Sequence, residues 1–167
     1  MKFPIGYVGV GLMGGPMVKR LTALGWKVRG YDIVPERSMV ASAAEAARLA
    51  ADFPETLIVL NHTGLPFVEQ LGGWRTAVAA LAARPNVAVK ISGLGNVAHK
   101  REVVLDTIEL FGTGRAMFAS NFPVDGLRAT FDQVYSMFDQ LTISFAESER
   151  RALFHDNAVR IYRMERQ

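Results

Sequence analysis

The sequence has no cysteine among its 167 residues. It can therefore form no disulfide and offers no thiolate as nucleophile or ligand, so a reducing cytoplasm is the expected compartment. No apolar run approaches the roughly 20 residues that cross a bilayer, and no long acidic or Ser/Gly/Pro-rich stretch indicates disorder. The N-terminus lacks the small-residue cleavage site of a signal peptide. These absences predict a folded cytoplasmic protein with no membrane partner.

The net charge of +3 is unevenly placed along the chain. Residues 1–50 hold seven Lys/Arg against three Asp/Glu, whereas the remainder holds twelve against thirteen. A basic segment attracts phosphate groups. However, these basic residues are scattered without interleaved aromatic residues, which argues against a nucleic-acid surface. We therefore expect no nucleic-acid partner.

Strand and helix signals alternate throughout and predict an α/β fold in one domain, residues 1–167. Strands are predicted at Ile5–Val10, Lys27–Asp32, Thr56–Asn61, Asn86–Ser92 and Arg115–Ser120. Helices are predicted at Met13–Leu24, Pro35–Ala50, Phe67–Ala83, His99–Phe111, Ala129–Leu141 and Glu147–Arg163. The predicted architecture is a five-stranded parallel sheet of order 2-1-3-4-5, flavodoxin-like or minimal Rossmann-like, with helices on both faces. The alternative is a partial TIM-barrel-like arc completed by dimerisation.

A glycine-rich loop follows the first predicted strand. Gly9, Gly11 and Gly14 form G-x-G-x-x-G where a helix begins, a pattern that lets a pyrophosphate approach the backbone. Asp32 ends the second predicted strand, where a carboxylate accepts hydrogen bonds from a ribose 2′-OH and so favours NAD over NADP. The predicted cofactor-binding residues are Gly9, Gly11, Leu12, Met13, Gly14 and Asp32.

The wider string from Gly9 to Met17 resembles the opening of the β-hydroxyacid dehydrogenases, the 3-hydroxyisobutyrate dehydrogenase family. The resemblance covers residues 1–40 and implies NAD as cofactor. In that family a lysine on a later helix performs acid/base chemistry and a large helical domain completes the substrate pocket. This chain shows neither the associated glycine-rich substrate motif nor the length for that domain.

Residues 45–165 carry a second set of motifs. Leu57–Pro66, Val89–Leu94, Met117–Asp125 and Asn157–Tyr162 resemble late barrel strands and the closing helix of the amidohydrolase superfamily, in the branch that includes 2-pyrone-4,6-dicarboxylate lactonase. The resemblance implies barrel strands with site residues at their carboxyl ends. Taken together, the two resemblances predict a chimera.

The catalytic candidates of this second part are His62, Lys90, Asn121 and Asp125. The resemblance implies that His62 is a metal ligand or contacts the substrate. Asn121 stands where many members have an aspartate, and an amide cannot serve as a general base; Asp125 follows four residues later. The family's His-x-His pair is absent, because the chain has only His62, His99 and His155. One histidine does not make a zinc site, so no metal is expected.

Strand alternation also predicts which side chains share a face of the sheet. The predicted face contains Ile58, Leu60, His62, Ala88, Lys90, Ser92, Met117, Ala119 and Asn121. On this face Lys90 is expected to be partly buried and to extend toward the strand end or an acidic partner.

The functional prediction is a recombined, chimeric α/β scaffold without a complete catalytic set or efficient activity, retaining weak dinucleotide binding, as monomer or homodimer. Two alternatives remain open. One is an NAD-dependent oxidoreductase of the 3-hydroxyisobutyrate dehydrogenase type. The other is an amidohydrolase or lactonase-type hydrolase.

Overall fold

The structure, a computed structural model, describes residues 5–8, 19–20, 22–25, 28–31, 43–64 and 71–164. The predicted cofactor-binding residues Gly9, Gly11, Leu12, Met13, Gly14 and Asp32 lie outside these ranges.

The described strands form two parallel groups. They are β1 (Ile5–Val8), β2 (Val28–Tyr31), β3 (Ile58–Leu60), β4 (Val87–Ile91) and β5 (Ala116–Phe118). β1 pairs with β2 in a two-stranded sheet, and β3, β4 and β5 form a three-stranded sheet in that order. All five strands lie within the predicted ranges, and β3, β4 and β5 are shorter than expected.

The predicted five-stranded flavodoxin-like sheet is wrong. Within the described residues the hydrogen-bonded ladder of β3, β4 and β5 ends at three strands, and β1 and β2 form a ladder of their own. The alternation of predicted strands and helices does not distinguish an open sheet from a barrel, because both are built from alternating β/α units with right-handed crossovers. The three-stranded arc is compatible with part of a barrel.

One described helix precedes the three-stranded sheet in the chain, and the others follow its strands. They are α1 (Ala43–Asp52), α2 (Leu71–Ala82), α3 (Lys100–Phe111), α4 (Phe131–Leu141), α5 (Glu147–Arg151) and α6 (Asn157–Ile161), with a π-helical turn at Ala152–Asp156. α4 begins at Thr130, whose hydroxyl accepts a hydrogen bond from the backbone N–H of Gln133 while the Gln133 side chain accepts one from the Thr130 N–H. This capping box satisfies two backbone donors that the first turn otherwise leaves free.

The single helix predicted at Glu147–Arg163 is divided into three segments. The π-helical turn at its centre separates α5 from α6. At the start of α6 the buried Asn157 donates hydrogen bonds of 2.6 and 2.7 Å to the carbonyl oxygens of Thr113 and Ala116. Asn157 thereby attaches the last helix to the beginning of β5.

The register of the sheet defines its two faces, because paired residues of parallel strands project to the same side. Val59 pairs with Ala88, and Lys90 pairs with Met117. Val59, Ala88 and Met117 pack together with Ile161 of α6. The opposite face forms the main core with the helices; its strand residues are Ile58, Leu60, Val87, Val89, Ile91, Ala116 and Phe118.

The predicted face is therefore correct for β4 and β5 and wrong for β3. Ile58 and Leu60 lie on the side opposite Lys90, because a shift of one residue in register moves every side chain of a strand to the other face. None of the helices that the structure describes is both long and apolar enough to span a bilayer.

Candidate active site

The polar candidates converge at the carboxyl edge of the three-stranded sheet. His62 comes two residues after β3, Ser92 directly follows β4, and Asn121 comes three residues after β5. Because the strands are parallel, their carboxyl ends lie at the same edge, which is where α/β proteins place ligands and catalytic groups.

His62 lies in a tight turn that breaks the strand alternation. The turn spans Asn61–Gly64, and His62 and Thr63 have φ values of 55° and 51°, in the left-handed region. A side chain of α2 holds the turn in place. The indole N–H of the buried Trp74 donates a 2.7 Å hydrogen bond to the Thr63 carbonyl. The left-handed backbone directs the imidazole toward β4.

The ring of His62 lies against the residues that follow β4. A 2.9 Å hydrogen bond joins His62 Nδ1 and Ser92 Oγ. Gly93 has a φ of +69°, and a Cβ placed there would approach His62 Nδ1 to 2.9 Å. Only a glycine leaves room for the ring in this position.

The environment of His62 keeps its imidazole neutral. Burial is the largest effect that lowers its pKa below 6.5, and the charge of Lys90 lowers the pKa further. The charge of Asp125 acts in the opposite direction and is the smallest of the three effects. These influences place His62 within electrostatic reach of both Lys90 and Asp125.

Lys90 projects from β4 on the same face as Met117. It is half-buried, and its burial lowers the pKa of the ammonium below the ordinary value. Among the residues that the structure describes, it has no ion-pair partner. Lys90 is thus a half-buried amine whose charge is felt at His62.

Asn121 and Asp125 are brought together by the loop after β5. Asn121 has a φ of 57°, and its side-chain amide donates a 3.0 Å hydrogen bond to Asp125 Oδ1. Asp125 is only 7% exposed. Its carboxylate lies against Gly95, where an added Cβ would be 3.1 Å from Oδ1. The carboxylate is therefore confined between the β5 loop and the β4 loop.

A cavity of about 210 Å³ opens between these two loops and α4. Its polar wall includes Ser92 and Asp125, and its apolar wall includes Met137 and Phe138. Lys100 and Arg128 also line it, and within the described chain neither has an ion-pair partner. The cavity therefore combines one carboxylate, one hydroxyl and two cations around a small volume.

Of the four predicted candidates, Asp125 lines the cavity, and His62 and Asn121 are each hydrogen-bonded to a residue that lines it. The structure joins Asn121 to Asp125 and joins His62 to Ser92. Ser92, Gly93 and Gly95 were not among the predicted site residues. The sequence could have indicated Ser92 as a site residue, because it ends the predicted strand and lies two positions after Lys90, on the same predicted face. The two glycines acquire their roles only from contacts across the fold.

Comparison with known proteins assigns the chain to a family. The family model described as amidohydrolase matches residues 6–164. The chain belongs to the amidohydrolase family. It is 48% identical over 128 residues to an uncharacterized protein of Sinorhizobium fredii, covering 72% of this chain and 43% of that protein. It is 32% identical over 153 residues to an L-fucono-1,5-lactonase of Burkholderia multivorans, covering 79% of this chain and 50% of that enzyme.

Solved structures support the same assignment. An amidohydrolase of Burkholderia multivorans with bound zinc has 28% identity and a TM-score of 0.69, covering 92% of this chain and 58% of that one. A TIM-barrel protein of Bordetella bronchiseptica has a TM-score of 0.56 at 18% identity, a likeness of fold alone. The fold neighbours are therefore barrels. The chain spans about half the length of the curated relatives it matches.

These comparisons correct three predictions. The family match begins at residue 6 and passes through the glycine-rich loop, so the predicted chimera with a dehydrogenase opening is unsupported. The prediction of a recombined scaffold is wrong, since one amidohydrolase model matches residues 6–164 and an L-fucono-1,5-lactonase matches 79% of the chain. The expectation of NAD without a metal is also contradicted, because a related amidohydrolase structure holds bound zinc and neither that protein nor the matching lactonase is described as binding a dinucleotide. A glycine turn between strand and helix is not specific to nucleotide sites, which explains the error.

Proposed function

We propose that this chain carries part of the active site of a lactone hydrolase. The observation that supports the proposal best is the buried Asp125 carboxylate, held by Asn121 at a cavity beyond the carboxyl ends of the strands. This is the edge at which barrel enzymes place catalytic groups. The 32% identity to an L-fucono-1,5-lactonase makes the cyclic ester of a sugar acid the first substrate to test.

Lactone hydrolysis needs a proton acceptor for the attacking water and a donor for the carbonyl oxygen. Asp125 is the acceptor: it takes a proton from water as the oxygen attacks the carbonyl carbon. The tetrahedral intermediate then breaks the ring C–O bond, and the proton returns to the leaving alkoxide to give a hydroxy acid. Lys100 and Arg128 line the same cavity and supply positive charge there. His62, which is hydrogen-bonded to Ser92 of the cavity wall, offers a hydrogen-bonding group.

A zinc ion, which the related amidohydrolase binds, would polarise the carbonyl or a water molecule. A protein zinc site needs at least three side-chain ligands. No group of three or more His, Cys, Asp or Glu that could hold a metal occurs in the described part of this chain. Of the described residues at this edge of the sheet, the candidates are His62 and Asp125. The described residues therefore do not form a zinc site by themselves, and no step of the proposal depends on the metal.

The test is hydrolysis of L-fucono-1,5-lactone and of related sugar 1,5-lactones by the full chain. A pH indicator measures the rate of acid release, which is compared with the uncatalysed rate in buffer. We expect activity that Asp125→Asn abolishes, because an amide cannot accept the proton. Asp156→Asn, which removes an exposed carboxylate beside His155, is the matched control and should retain activity. Equal rates for the wild type and Asp125→Asn would overturn the proposal.

A further inference from the structure

The imidazole of His62 is held from two sides by consecutive residues, Ser92 and Gly93. Ser92 Oγ lies 2.9 Å from Nδ1, and the absent side chain of Gly93 leaves the space that the ring occupies. The φ values of 55° at His62 and +69° at Gly93 show that both backbones adopt the left-handed conformation here. The ring therefore has a defined orientation with Nδ1 toward the hydroxyl.

The direction of the hydrogen bond follows from the surroundings of Ser92. Ser92 is 1% exposed, and within the described part of the chain His62 Nδ1 is the one partner of its hydroxyl. A buried hydroxyl proton without an acceptor is costly, whereas a hydroxyl oxygen with an unused lone pair is tolerated. The Ser92 hydroxyl therefore donates, and Nδ1 accepts.

We propose that Ser92 is a positioning residue that fixes neutral His62 with its proton on Nε2. The consequence for catalysis rests on the proposed function. In a lactone hydrolase this tautomer makes His62 a hydrogen-bond donor to the carbonyl oxygen, where negative charge develops, and Asp125 keeps the role of proton acceptor. The same tautomer leaves no free nitrogen lone pair for a metal, because Nδ1 is occupied by Ser92 and Nε2 by its proton.

His155 provides an internal comparison in the same chain. Its Nδ1 lies 2.8 Å from Asp156 Oδ1, and a carboxylate can only accept a hydrogen bond. His155 must therefore carry a proton on Nδ1. The two histidines are expected to show opposite tautomers when both are neutral.

The experiment is long-range 1H–15N correlation spectroscopy of the full chain labelled with 15N-histidine, at about pH 8, above the ordinary histidine pKa. The His62 signals are assigned by their loss in His62→Gln. We expect an unprotonated Nδ1 and a protonated Nε2 for His62, and the reverse for His155. A protonated Nδ1 on His62 overturns the proposal. His99→Gln and His155→Gln, at exposed positions, assign the remaining signals to His62 by elimination, so a His62 variant that fails to fold does not remove the test.

Two variants test whether Ser92 is the cause. In Ser92→Ala the His62 pattern should change to the averaged signals of two exchanging tautomers, whereas Ser92→Thr keeps the hydroxyl and should preserve the wild-type pattern. The signals of His99 and His155 report that each variant remains folded. A His62 pattern that is unchanged in folded Ser92→Ala also overturns the proposal, because the tautomer would then have another origin.

Activity separates this inference from the proposed function. If the chain hydrolyses lactones, Ser92→Ala should lower kcat by about tenfold, the low end of the loss found when the partner that orients a metal-bound imidazole is removed, with restoration by Ser92→Thr. If no lactone is hydrolysed but His62 carries its proton on Nε2 and loses this preference in Ser92→Ala, the proposed function fails and the positioning role stands.

Discussion

The side-chain amide of Asn121 donates a 3.0 Å hydrogen bond to the carboxylate of Asp125, four residues later in the chain. The backbone N–H of Asp125 also donates to the carbonyl oxygen of Asn121. The loop thus turns back on itself and places a buried acid next to an amide that cannot itself accept a proton. Asp125, which follows Asn121 by four residues in the sequence, is the carboxylate that lines the cavity.

Replacing Asn121 with aspartate should alter the pH dependence of hydrolysis. In Asn121→Asp two carboxyl groups would lie about 3.0 Å apart, and they would share a proton because both cannot ionise at that distance. The raised proton affinity should move the acidic limb of the kcat/KM profile to higher pH. Asn96→Asp, the same change at an exposed site, is the control. A wild-type profile in Asn121→Asp would show that the two groups do not interact in solution.

Gly93→Ala should destabilise the protein by more than its backbone conformation alone requires. The left-handed φ costs an L-residue about 1–2 kcal/mol, and the new methyl group would also meet the His62 ring at 2.9–3.0 Å. Overpacking of this kind adds about 1–3 kcal/mol. Gly64→Ala separates the two effects, because Gly64 has a similar φ of +73° but ordinary contacts at 3.8 Å. Urea unfolding measures the loss in free energy of unfolding of each variant. Equal losses in Gly93→Ala and Gly64→Ala would exclude a steric role for Gly93.

The sequence predicted the local elements better than their arrangement. α3 was predicted from His99 and begins at Lys100, since its apolar spacing is typical of a helix packed on one side. The predicted face placed His62 beside Ser92, where its ring does lie, but the turn that brings it there was beyond such patterns. Strand alternation would continue the face of Leu60, but the left-handed turn at His62 and Thr63 redirects the ring toward Ser92. Periodicity describes regular backbone, and the site begins where the backbone stops being regular.

The lowered pKa of His62 predicts a loss of stability in acid. The unfolded chain has a histidine pKa of about 6.5 and the folded chain a lower one, so between the two the unfolded state binds more protons. The free energy of unfolding should therefore fall as pH decreases through 6.5 and level off below the folded pKa. His62→Gln should show a shallower fall as the pH decreases through 6.5, whereas His99→Gln, a control at an exposed position, should follow the wild type. A steeper or unchanged dependence in His62→Gln would contradict the assignment.

The hydrogen bond from Trp74 to the Thr63 carbonyl should support the site as well as the fold. Trp74→Phe keeps most of the aromatic packing but leaves that buried carbonyl without its 2.7 Å donor, and an unmet buried polar group costs about 1–3 kcal/mol. Thr76→Val is the control on the same helix, because it removes an exposed hydrogen bond to Gly72 and should cost far less. Since the Thr63 carbonyl lies in the turn that carries His62, Trp74→Phe should also shift the His62 imidazole resonances. A destabilised Trp74→Phe with an unperturbed His62 spectrum would mean that the indole stabilises the core without positioning the turn.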